Sequence, residues 1–337
     1  MTFPSFSTMQ TAAKNSSGFQ AILRWLLRFV VGLAIVMFLA QRHDTASLMR
    51  TLRAVTWWVP LISVVFYWLG QVLSAWKWQL LLRAQGARVS LRDCCRLYAV
   101  GMFWNLWMPT NIGGDAIRAV RCAPLCGGLS VATSSVLVER LTGVIALLTI
   151  AVLGLLAQLM SSSANQTNFL ILRPILFVVV LLICLFALFR ALRPKFAAEG
   201  AMEHESAIQR KVRSFSRALS AYAQPSARGA LQSAIAISLL FQASQVLLNI
   251  GLARAMGLPI SFAVFWWLVP SLAIASLVPL GIGGLGIREA AAVQLLAGQG
   301  APAASIVAWS LLWQATVWLA SLPGGLWVAQ RMSAPET

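Results

Sequence analysis

An all-α polytopic membrane protein made of two inverted repeats is the architecture this sequence predicts. Three observations carry the prediction. Of 337 residues, 59% are apolar and only 10% are charged, with a mean hydropathy of +0.78. A soluble domain of this length has no use for so many long apolar runs, and the short alternating strands of a barrel are missing. A breaker-plus-charge motif occurs twice, as Pro109-x-x-Ile112-Gly113-Gly114-x-x-Ile117-Arg118 and as Pro279-x-x-Ile282-Gly283-Gly284-x-x-Ile287-Arg288. One copy in each half of the chain points to internal duplication.

The elements follow in order. Residues 1–21 are polar and read as a loose cytoplasmic N-terminus. Residues 22–40 form a first apolar helix, kept rather than cleaved because no small-residue cleavage site follows it. Residues 41–54 read as a polar outer loop. Residues 55–82 form a long span, with Trp57 and Trp58 as outer anchors and Trp76 and Trp78 as inner ones. Lys77 is expected to snorkel to the inner interface. Arg83, Arg88, Arg92 and Arg96 then crowd a short segment, which the positive-inside rule makes cytoplasmic. Residues 97–109 are too short to cross. Gly113-Gly114 breaks them from 115–126, and a re-entrant hairpin returns Arg118 and Arg121 to the basic side.

Residues 130–160 form a long helix carrying Glu139-Arg140. Residues 161–168 are an outer loop, and 169–189 return inward. Residues 195–228 hold Arg210, Lys211, Arg213, Arg217 and Arg228 and read as a cytoplasmic amphipathic linker. Residues 229–253 go out again, and Gly257-Leu258-Pro259 turns the chain. Residues 260–279 and 281–296 make the second broken element, entering from the opposite side. Residues 303–322 close the fold, with Trp309, Trp313 and Trp318 as interface anchors. The count is about six full spans plus two re-entrant broken-helix pairs. The first repeat covers 22–194 and the second 229–330, with a tail at 331–337.

The formal net charge is +17, with only four lysines among 26 basic residues. Most of these groups flank apolar runs, as topology and anionic headgroups require. Nucleic-acid binding would need a soluble basic domain, which the sequence does not contain. The five cysteines lack finger-type spacing on both sides, and the two histidines, His43 and His204, sit in polar connections. No metal or cofactor is therefore expected.

The charged groups in apolar sequence are the candidate site. Asp115, Arg118, Glu139, Arg140, Arg288 and Glu289 would each cost about 2.5–3.5 kcal/mol at the bilayer centre if left alone. They must pair, meet water or bind charged ligands. Asp115 and Arg118 share a helix face. Glu139-Arg140 and Arg288-Glu289 point about 100° apart and should pair between helices. Glu139 could meet Arg118 or Arg288, and Glu289 could meet Arg140; the sequence leaves the pairing open. A helix starting after Gly-Gly exposes unpaired N–H groups and a positive dipole end. An arginine in that first turn makes an anion receptor. Two such ends, one from each side, would draw a phosphate-bearing headgroup through hydrocarbon.

Three ordered motifs carry a resemblance: Asn105-x-x-x-Pro109-x-x-x-Gly113-Gly114-Asp115-x-x-Arg118, Glu139-Arg140-x-x-Gly143, and Pro279-x-x-x-Gly283-Gly284-x-Gly286-x-Arg288-Glu289. Over most of its length the chain resembles the flippase-like transmembrane region of lysylphosphatidylglycerol synthases and its stand-alone UPF0104-type relatives. The resemblance implies an inner-membrane protein that moves a lipid between leaflets. It adds Asn105, Gly113, Gly114, Gly283 and Gly284 to the candidate substrate-binding residues. In the fused synthases an aminoacyl-transferase domain follows; here the chain stops at Thr337, so lipid synthesis is not implied. Phospholipid, glycolipid, polyprenyl-phosphate and hopanoid pathways all remain open as sources of the cargo. The expected translocator rocks between its halves, with Arg118 and Arg288 holding the phosphate. No Walker-type lysine follows a glycine, so the chain is not expected to use ATP directly. The rivals are a lipid-modifying membrane transferase and a non-catalytic partner of a lipid-synthesis enzyme or glycosyltransferase.

Overall fold

The computed structural model describes residues 26–27, 30–38, 41, 45–108, 112–161, 207–276, 284–297 and 299–332. Among them the chain is helical with no strand, and residues 30–38 are helical ahead of the first element labelled here. The helices are α1 (Thr45–Ala54), α2 (Trp58–Ala84), α3 (Leu91–Trp107), α4 (Ile112–Cys126), α5 (Leu129–Ser161), α6 (Ala207–Ser220), α7 (Arg228–Ala255), α8 (Phe262–Ala275), α9 (Ile287–Leu295), α10 (Ala303–Ser321) and α11 (Pro323–Met332).

Four helical stretches are long and apolar enough to cross a bilayer: Trp58–Ala84, Leu129–Gln158, Pro225–Ala255 and Ala303–Val328. Each exceeds the roughly 20 residues that about 30 Å of hydrocarbon demands. They coincide with four of the six expected spans. The span expected at 169–189 lies outside the described residues, and the one at 22–40 lies partly outside them. The protein is an all-α polytopic membrane protein.

Two apolar cores hold the helices together. One joins α2, α3, α4 and the start of α5 through Trp78, Leu82, Cys94, Leu97, Tyr98, Ala119, Cys122 and Val136. The other joins α5, α7, α8, α9 and α10 through Ile150, Val246, Phe265, Leu268, Ala292, Trp309 and Trp313. Small residues set the closest crossings. A Cβ on Gly154 of α5 would come within 2.5 Å of Trp266 of α8. One on Gly324 would strike the Ala99 carbonyl, and one on Gly325 would lie 2.8 Å from Phe103, so this glycine pair lets α11 lie directly on α3.

Several expectations need correction. Residues 45–54, read as loop, form the helix α1, which seats Leu48 against Ala304, Val307 and Ala308 of α10. Its short apolar stripe is diluted by Arg50 and Arg53, which made it look like a connection. Helix α3 starts at Leu91, within the segment read as a basic loop, because Ser90 caps it by accepting from the Asp93 N–H at 3.1 Å. Lys77 does not snorkel; it is 4% exposed and enclosed by protein. Trp57 and Trp58 are exposed as interface anchors should be, but Trp78, Trp309 and Trp313 are core residues. Trp78 and Trp309 donate to Ser135 Oγ and to the Asn249 carbonyl, which satisfies their N–H groups inside.

Candidate functional site

The first cluster forms where α3 and α4 fold back on each other. Gly101 and Gly114 sit face to face: a Cβ on Gly114 would strike the Gly101 carbonyl and the Asn105 side chain. Cys94 and Cys122 share the core at the other end of the same pair. The two helices therefore run antiparallel, as an αα-hairpin. Helix α4 already begins at Ile112, so Gly113 and Gly114 lie inside its first turn and are not the break itself. Pro109, expected at the break, lies outside the described residues. The Gly114 N–H, expected to be open to an anion, donates to Asn105 Oδ1 at 2.8 Å. Asn105 thus satisfies one of the orphan donors of the helix start.

One turn further, Arg118 is 1% exposed. Its Nη2 donates to Glu139 Oε2 at 2.5 Å and lies 3.3 Å from Asp115 Oδ1. The guanidinium carbon lies 4.5 Å from the centre of the Trp78 ring and 4.2 Å from that of Tyr98, two rings set edge-on to each other at 68°. Nε and Nη1 make no hydrogen bond among the described residues, and the two ring contacts of the group are cation–π contacts. Glu139 is used completely. It accepts from Tyr98 Oη and from Arg118, and Lys77 Nζ lies 3.4 Å from its Oε1. Lys77 also donates to Ser238 Oγ at 3.2 Å, which ties α2 and α5 to α7.

Arg140 is the exception. It is adjacent to Glu139 yet projects the other way, and its side chain is 52% exposed. Nε donates to Asp115 Oδ2 and Nη2 to Asp115 Oδ1, both at 2.6 Å. This is a side-on bidentate pair, the strongest geometry that a carboxylate and a guanidinium can adopt. Arg140 lies eleven residues into α5, or about 16 Å along its axis.

The second cluster opens α9. Gly284 and Gly286 have φ of +83° and +85°, a left-handed backbone that glycine tolerates and other residues resist. Glu289 is fully buried; its Oε2 accepts from the Gly286 N–H at 2.6 Å and its Oε1 accepts from Ser310 Oγ at 2.9 Å. The chain supplies its own anion to this helix start. Arg288 is 4% exposed, donates to Gln314 Oε1 and to Ser310 Oγ, and stacks 4.6 Å from the centre of the Trp313 ring. Of the pairings the sequence left open, Glu139 with Arg118 forms and Glu289 with Arg140 does not. Arg288 Nη2 lies 3.5 Å from Glu289 Oε1 instead, because both neighbours bend toward Ser310 on α10. Gly283 lies outside the described residues.

The sequence-predicted groups are therefore gathered, but with different duties. Arg118 and Arg288 are sealed and internally matched, while the Asp115–Arg140 pair is the accessible part. Lys77, Tyr98, Ser310 and Gln314 were missed. Lys77 carried a signal, a lone lysine within an apolar run; the others are ordinary helix residues until the fold brings the charges to them.

Among the described residues, no group of three or more histidine, cysteine or acidic side chains could hold a metal ion. The described cysteines Cys94, Cys95, Cys122 and Cys126 are free thiols. No curated protein matches the chain. The family model described as the lysylphosphatidylglycerol synthase TM region matches residues 25–324, nearly the whole chain, and the protein belongs to that family.

Proposed function

We propose that this protein is a translocator that carries a lipid with a phosphate-bearing, anionic headgroup between membrane leaflets. The observation that carries the reading is Arg140: a half-exposed guanidinium deep in a helix long enough to cross the bilayer, held by a single carboxylate. A cation at that depth must pair, meet water or bind a ligand, and the pair with Asp115 leaves half of the Arg140 side chain exposed for the latter two. Family membership ties the chain to lipid metabolism or transport and supports the same reading. Arg118, Arg288 and Glu289 serve as the rigid frame, and Asp115 and Arg140 meet the headgroup. Asn105, Gly113 and Gly114 keep the α3–α4 hairpin tight behind them.

In this reading the hairpin is re-entrant, and the α8–α9 segment is its inverted counterpart in the second repeat. The protein sits in the inner membrane with its N-terminus cytoplasmic. Its partners are the bilayer, the lipid and, where cargo is made nearby, a lipid-synthesis enzyme. The test is leaflet-resolved transfer of labelled phosphatidylglycerol in vesicles. Arg140→Gln should abolish transfer without lowering thermal stability much, whereas Arg118→Gln should lower both. Full transfer by Arg140→Gln would refute the assignment. Chemical conversion of the lipid in detergent would favour a transferase instead.

A further inference from the structure

We infer that Asp115 is a built-in stand-in for the cargo: it occupies Arg140 when the protein is empty, and a phosphodiester headgroup of a membrane lipid displaces it. The inference rests on the translocator reading of the same residues but makes a separate claim about what happens at them.

Three features point to displacement rather than a fixed brace. First, the other two carboxylates are fully committed. Glu139 is shared by Arg118, Tyr98 and Lys77, and Glu289 by Gly286, Ser310 and Arg288. Asp115 alone is partly accessible, at 14%, and it holds the one exposed cation of the cluster. Second, Asp115 has somewhere to go. Its Oδ1 already lies 3.3 Å from Arg118 Nη2, one turn along the same helix. Giving up Arg140 leaves Asp115 beside that cation instead of stranding a buried charge, which would be prohibitive. Third, the forks match. Arg140 presents Nε and Nη2 to the two oxygens of Asp115. The two non-bridging oxygens of a phosphodiester can accept the same pair of N–H groups. One monoanion then replaces another on Arg140, and its local charge balance is unchanged. A dianionic monoester would leave an excess negative charge. The depth of Arg140 along α5 favours a lipid source over a soluble one, because a lipid headgroup can be drawn inward along the protein.

The experiment is equilibrium binding of dihexanoyl-phosphatidylglycerol to the full chain in detergent, with inorganic phosphate as competitor. Arg140→Gln should weaken binding about tenfold or more, since it removes the charge-assisted fork. Asp115→Asn should strengthen it about three- to tenfold, because the competing anion is gone. Inorganic phosphate should compete poorly. Opposite signs for the two variants are the signature; equal weakening by both would mean a plain structural ion pair and would overturn the proposal. Equal competition by inorganic phosphate would assign the site to a soluble ion and would also overturn it. Should Asp115→Asn fail to fold, wild-type protein carrying carboxyl-labelled aspartate decides. The infrared carboxylate band must shift on adding dihexanoyl-phosphatidylglycerol, and an unmoved band sinks the idea. Opposite signs without leaflet transfer would keep the displacement and remove translocation. Transfer that both variants impair alike would do the reverse.

Discussion

Replacing Glu139 by glutamine tests whether the buried cluster is an obligatory charge-matched unit. Glu139 is 3% exposed and faces Arg118 Nη2 at 2.5 Å and Lys77 Nζ at 3.4 Å. Glutamine keeps the shape and its one carbonyl oxygen can still accept from Tyr98, but its NH2 then faces the Arg118 Nη2 donor, so the perturbation removes the charge and one acceptor together. Removing one partner of a buried pair costs about 3–5 kcal/mol, because the remaining charge stays desolvated. Two cations lose their counter-charge here, though Asp115 still lies 3.3 Å from Arg118. We therefore expect the middle of that range, about 4 kcal/mol. At roughly 2 °C per kcal/mol for a chain of this size, the melting temperature in detergent should fall by about 8 °C. Adding Arg118→Met should recover part of the loss, since an apolar replacement of both members of a buried pair is often tolerated. A melt within about 2 °C of wild type for Glu139→Gln, or a double variant less stable than the single, would refute the reasoning.

Other perturbations have defined outcomes. Gly114→Ala should destabilise by about 1–3 kcal/mol by forcing α3 and α4 apart, while Gly251→Ala, where nothing lies within 4 Å of the added Cβ, should not lower the melt. Asn105→Ala should cost about 1 kcal/mol by uncapping the Gly114 N–H, read as a shift in the detergent melt. Tyr222, between α6 and α7, donates to the Leu81 carbonyl at 2.9 Å, and burial pushes its phenol well above the ordinary value. A raised folded-state value means stability is fully present below the unfolded value of about 10 and declines as pH rises beyond it. Tyr222→Phe should flatten that alkaline decline while costing about 1 kcal/mol at neutral pH, measured as melting temperature against pH.

The spans were legible because their signal is local. Long apolar runs with flanking arginines fix helices such as α2 and α7 without reference to the rest of the fold. The site was legible only as a set of residues. Asp115 and Arg118 announce their pairing by a three-residue spacing, whereas Arg140 meets Asp115 from another helix, and nothing in the sequence chooses Asp115 over Glu289 for it. The glycine motif misled for a physical reason. Gly-Gly was read as a break exposing free N–H groups, but at Gly114 the missing side chain serves close packing, and Asn105 takes the N–H. Lys77 and Trp78 were assigned to the interface by type and position near a span end. The tertiary contacts with Glu139, Ser238 and Ser135 draw them inside.

The bonds around Lys77 bear on how such a machine can flex. Lys77 joins Glu139 and Ser238, Gln242 donates to the Gly143 carbonyl, and Tyr222 reaches Leu81. These ties rivet α2, α5 and α7 into one chassis drawn from both halves of the chain. Any motion that keeps them intact cannot pivot at the midpoint of the chain. The α3–α4 hairpin is fastened to the same chassis, because Tyr98 and Arg118 both donate to Glu139, so it shares that chassis's motion for as long as the buried cluster stays closed.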